Sequence, residues 1–211
     1  ILHTNSAEVI GYATGKIARG WRADVSTSPM NTPVRPFSPQ LAILIGFVLA
    51  AALARLLPHA WNFTPVEAVA LFGGAYFSQR WAAFLIPLGA LLLSDLWLGF
   101  YTLMPVVYAC IALSVLIGMT LRGRVGVRNV AVAGLASVLL FFVITNFAVW
   151  WFADPLISHP ACQIGLTECY VAALPFLKSQ LLGTVVRSVL LFGGFEWLRH
   201  QVPALRQTQT A

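Results

Sequence analysis

Five polar side chains, Asn62, Glu67, Asp95, Asn146 and Lys178, stand in or beside stretches that are otherwise almost wholly apolar. Two carboxylates, two amides and an ammonium supply both donors and acceptors, the set a pocket needs to hold a small polar molecule. Such groups are costly at membrane depth and face a bundle interior or a water-filled cavity. By position along their segments they fall, with Thr145, toward one half of the chain's apolar layer, so they can line one outward-opening pocket. Each also has a plainer use. Glu67 completes a helix-capping box, Asp95 sits at headgroup level beside Trp97 or pairs with Lys178, Asn146 bonds a neighbouring helix, and Lys178 snorkels to the surface. Arg187 shares a helix face with Gln180, Gly183 and Thr184 and points about 180° away from Lys178 at ~100° per residue.

Acid–base catalysis is the other chemistry open to Glu67 and Asp95. The chain holds no H-E-x-x-H, G-x-S-x-G or Walker loop, and no pair of helical carboxylates spaced to grip a metal. The expectation is therefore a protein that is not an enzyme and has no metal and no cofactor. Three cysteines without a CxxC or Cys/His cluster give no redox motif and no disulfide framework. Cys162 and Cys169 do share one loop, which Gly165 allows to close, so a bond between these two is an alternative.

The elements that must position these residues are set by composition. With 59% hydrophobic and 9% charged residues and a mean hydropathy of +0.81, the chain is far from the ~25% charge of soluble domains. An all-α integral membrane protein is expected. The formal net charge of +6 would suit nucleic acid, but Lys and Arg sit at the ends of apolar segments rather than along one face, so no nucleic-acid partner is expected.

The stretch from Asn62 to Phe77 organises the rest. Thr64 as N-cap, Pro65 at the first helical position and Glu67 three residues after the cap define a helix start. From there the helix reaches roughly 21 Å by Phe77, short of the ~30 Å hydrocarbon core. Either it continues through Arg80 to Trp81, or it begins below the surface and lines a polar cavity. Before it, Leu41 to Leu57 forms a first span on which Ala42, Gly46, Ala50 and Ala54 make a small-residue face, fit for packing inside the bundle or for docking a separate membrane subunit. After it come spans over Ala82–Phe100, Met104–Leu121 and Val130–Trp151, then a last one within Tyr170–Leu198 with Pro175 marking its helical start. That gives a bundle of six transmembrane helices over residues 41–198, between a polar tail at 1–40, whose residues 1–29 are left out of the fold, and a tail at 199–211.

Arg35, Arg80, Arg122, Arg124, Arg128, Arg199 and Arg206 fall on one side of these spans. Arg55, His59, Asp154, His159 and Glu168 fall on the other, so the positive-inside rule puts both termini in the cytoplasm.

The segments NFTP (62–65), ALFGGAYF (70–77), PLGALLLSDLWLGF (87–100), ITNFAVW (144–150), CYVAALPF (169–176) and LLFGGFE (190–196) resemble a family of uncharacterised bacterial membrane proteins, domain of unknown function 6580. That family is similar in turn to the substrate-binding S components of energy-coupling factor (ECF) vitamin transporters. The resemblance implies a protein of the bacterial plasma membrane that captures a vitamin-like small molecule. It also implies a lid between spans one and two, and docking of span one to an ECF coupling subunit served by partner ATPases. Family members carry an acid where Thr184 stands and an aromatic where Arg187 stands. Two other classes fit the same residues: a structural membrane scaffold, and an intramembrane enzyme using Asp95 or Glu67.

Overall fold

In a computed structural model of the chain the structure describes residues 39–54, 66–152 and 159–202, all within the unit Phe37–Ala211. Regular structure among them is helical throughout: α1 (Pro39–Leu53), α2 (Val66–Tyr76), α3 (Arg80–Leu98), α4 (Met104–Met119), α5 (Val127–Trp151), the single turn α6 (Ala161–Ile164), α7 (Leu166–Ser188) and α8 (Gly194–Gln201). A five-residue π-helical turn, Val189–Gly193, joins α7 to α8 without a break.

The bundle is apolar outside. Leu85, Leu93, Trp97, Val132, Val185, Val189 and Leu190 are exposed, while the interior keeps Ala68, Ala70, Ala83, Ala90, Ser114 and Ser137. Many leucines and valines face out while many alanines and serines face in, an arrangement that suits apolar surroundings. The helices α3, α5 and the continuous run Leu166–Gln201 are long and apolar enough to cross a membrane; α1, α2 and α4 are apolar but shorter.

The centre is α2. Every residue from Glu67 to Tyr76 is buried, and α1, α3, α4, α5 and α7 all pack on it. Small residues let its neighbours in. A Cβ on Gly74 would run into the Val115 carbonyl and stand 2.8 Å from the Met119 nitrogen, one on Gly118 would strike the backbone of Leu71, and one on Gly73 would lie 2.5 Å from Pro87 Cγ. Backbone thus meets backbone between α2 and α4. Arg122, just past α4, donates from Nε to the Gly74 carbonyl (2.9 Å) and from its terminal nitrogens to those of Phe77 (2.8 Å) and Ser78 (3.4 Å). One guanidinium so closes the carbonyl end of α2, where a cation also suits the helix dipole.

The structure departs from the sequence reading in three places. Pro175 lies inside α7, which starts at Leu166; Cys162 and Cys169 form a disulfide that ties α6 to the first turn of α7, so the helix is anchored before the proline. The same bond answers the cysteine alternative, since Cys110 is left as the free thiol. On α1, Ala42, Gly46 and Ala50 are exposed and a Cβ on Gly46 would meet nothing within 4 Å. Internal packing is therefore not the use of that face; Ala54, half-buried, ends it.

Candidate functional site

Helical spacing on α7 places Gln180, Thr184 and Ser188 at i, i+4 and i+8, one stripe on one face. All three are buried, against neighbours that include α2 and α5. Gln180 Nε2 donates to Glu67 Oε1 at the start of α2, and Glu67 is 1% exposed. Thr184 lies across from Gly134 of α5, where an added Cβ would stand 3.7 Å from Thr184 Cγ2. One turn along α5, Ser137 Oγ donates to Ser114 Oγ of α4 (2.7 Å), which donates to its own Cys110 carbonyl (3.0 Å). The result is a polar seam from α2 through α7 and α5 to α4, inside an apolar bundle.

Two of its oxygens stand out. Thr184 Oγ1 and Ser188 Oγ are buried and, among the described residues, have no hydrogen-bond partner. A buried hydroxyl left unpaired costs ~1–3 kcal/mol. The usual remedy within a helix is the carbonyl four residues back, which Ser114 and Thr145 use here, Thr145 Oγ1 donating to Phe141 at 2.7 Å. Thr184 and Ser188 do not use it. Hydroxyls held away from that partner are set to meet something else, an ordered water or a polar ligand.

Asp95, 1% exposed near the end of α3, accepts from Tyr108 Oη of α4 at 2.9 Å. Gly99, at φ +98, stops α3 there and returns its N–H to the Asp95 carbonyl (2.8 Å), fixing the turn on which the carboxylate sits. Further along α2, Phe72 stacks on Phe47, meets Phe192 and Phe195 edgewise and lies tilted against Tyr76. Tyr76 Oη donates to Glu196 Oε1 (2.6 Å), whose other partner is Arg199 at 3.3 Å.

The residues singled out in the sequence are dispersed. Glu67 joins the seam, where its carboxylate takes a bond from another helix. Asp95 takes Tyr108 as donor in place of Lys178 or Asn146. Asn146 is half-buried and turns Nδ2 to its own Phe142 carbonyl at 2.8 Å. Lys178 is exposed on the side of α7 away from Gln180. Asn62 and the cap residue Thr64 lie outside the described residues. Sequence reasoning missed Ser188, Ser114, Ser137 and Tyr108 and gave Gln180 and Thr184 no role. The i, i+4, i+8 run of polar side chains on an apolar helix was the signal that marks the α7 stripe. Among the described residues no three His, Cys, Asp or Glu side chains gather as a metal would need.

A family model described as a family of unknown function (DUF6580) matches residues 35–205. No curated protein and no solved structure matches the chain.

Proposed function

Taking the chain as what that match makes it, a member of the DUF6580 family of unknown function, we propose that it is a six-span membrane transport protein of the S-component type. It takes up a vitamin-sized polar molecule in the bacterial plasma membrane, both termini on the cytoplasmic side. The observation that carries the reading is the pair of unpartnered hydroxyls, Thr184 and Ser188, beside the Glu67–Gln180 contact. A bundle built only for support would have no use for polar groups held unsatisfied at its core. Seam oxygens and amide suit a ligand rich in hydroxyl or amide groups. The exposed face of Ala42, Gly46 and Ala50 suits close approach by a coupling subunit, with partner ATPases as the energy source.

The test is mass spectrometry of the protein purified in mild detergent, alone and as Thr184→Val with Ser188→Ala. A small molecule that co-purifies with the parent and is lost from the variant supports the proposal. A parent that carries none, and a variant of raised thermal stability, favours the second reading, a structural scaffold. That reading has its own support in the polar groups that pair with one another, Ser114 with Ser137 and Asp95 with Tyr108.

A further inference from the structure

The end of the bundle where α2 and α4 finish and α3 and α5 begin gathers Arg80, Arg122, Arg124 and Arg128. Arg122 is committed to the α2 carbonyls, and its three bonds draw the loop before α5 against the loop before α3. Burial lowers the pKa of Arg122, and the positive charge of Arg80 lowers it further, so the two guanidiniums feel each other. Arg80, Arg124 and Arg128 are exposed, and among the described residues none has an acidic partner. The first turns of α3 and α5 contain no acid to relieve them. Arg199, by contrast, is matched by Glu196.

Three guanidiniums, at the start of α3, in the loop before α5 and in the first turn of α5, with no acidic partner among the described residues, repel one another unless an anion sits among them. What lies next to them narrows the choice. Trp81 is 63% exposed beside Arg80, and Val127 is 91% exposed beside Arg128, each opening the apolar outer face of its helix. An anion that is itself attached to hydrocarbon satisfies both surfaces at once, its phosphate meeting the guanidiniums and its acyl chains lying along α3 and α5. We propose that Arg80, Arg124 and Arg128 form a headgroup site for an anionic phospholipid. Phosphate is the chemistry recognised, and the flanking Trp81 and Val127 select the lipid over a soluble phosphate.

The experiment is native mass spectrometry of the whole protein released from neutral detergent, after equal additions of phosphatidylglycerol, phosphatidylcholine or glycerol phosphate. Phosphatidylglycerol should stay bound at least tenfold more than phosphatidylcholine. Arg124→Gln with Arg128→Gln should reduce its retention by about fivefold per charge removed, leaving phosphatidylcholine unchanged. Arg122 is left intact because it closes α2. Should the double variant unfold, Arg80→Gln alone is read in the same way. Equal retention of the two lipids, or parental retention in a folded variant, overturns the site. Glycerol phosphate binding as strongly as phosphatidylglycerol overturns the lipid as its occupant. Because these arginines lie apart from the polar seam, failure here leaves the transport proposal standing, and the reverse.

Discussion

Tyr108 gives Asp95 a hydroxyl in a place where an unpaired carboxylate would be hard to keep. Tyr108→Phe removes that donor and keeps the ring. It should lower stability by about 1.5–3 kcal/mol, the worth of a hydrogen bond to a charged group, read as a lower melting temperature in detergent. Asp95→Asn keeps an acceptor for the same hydroxyl and should fall less. Both carboxylates stood out in the sequence as acids in apolar runs, beside plainer readings as a capping box for Glu67 and a headgroup-level position for Asp95. Their partners were not. Gln180 is separated from Glu67 by 113 residues, and only the packing of α7 on α2 brings them together. Lys178 drew attention by its charge, yet it lies two residues from Gln180, about 200° around the helix, and so belongs to the opposite face. Charge drew attention to an exposed residue, whereas helical phase picks out the buried stripe of Gln180, Thr184 and Ser188. The hydroxyls make a matching prediction: Thr184→Val alone should keep the fold, since it exchanges an unpaired hydroxyl for a methyl of like size, and should weaken ligand retention in the purified protein.

At the scale of elements, the helix starts and stops were mostly legible because glycines, prolines and apolar runs set them locally. The third, fourth and fifth spans were placed within a few residues of α3, α4 and α5. The sixth was not: Pro175 reads as a boundary, yet the helix begins nine residues earlier at Leu166, with Cys169 of its first turn tied by the disulfide to Cys162. The glycine pairs carry the strongest element-level expectation. Gly74→Ala should destabilise by at least the ~1–3 kcal/mol of an overpacked core, because its Cβ meets carbonyl and amide atoms of α4 that cannot rotate away. Gly46→Leu should leave the melting temperature near the parent's, as that position opens to free space. If the α1 face docks a coupling subunit, the same substitution blocks co-purification of that subunit. Reduction of the Cys162–Cys169 bond frees a short loop and should cost roughly 2.5 kcal/mol by the loop-entropy estimate, seen as a lower melting temperature with reductant and no change in a Cys162→Ser, Cys169→Ser variant.

For the whole molecule, the outward-facing leucines and valines were foreseeable from composition alone, and the order of helices from their apolar runs. The convergence on α2 was foreseeable in part: the stretch from Asn62 to Phe77 stood out as the organiser, but not which helices would meet it. The proposed topology of six spans with both termini inside makes a direct prediction. Cysteines introduced at Ser78 and Arg124 should be shielded from an impermeant thiol reagent in intact cells, while one at His159 should react, and Cys110 should stay silent throughout. Reaction at Ser78 together with silence at His159 would invert the orientation. The π-helical turn at Val189–Gly193 has a wider consequence. A turn holding about one residue more than an α-turn advances the rotational phase of everything after it. Upstream, the phase is set by Gln180 meeting Glu67; downstream, by Phe195 and Glu196 meeting Phe72 and Tyr76 on the same partner helix. The extra residue is what lets one continuous helix keep both appointments. Deleting a single residue from this turn would leave an unbroken helix of ordinary geometry whose last two turns point about 100° astray, so here regularity would be the defect.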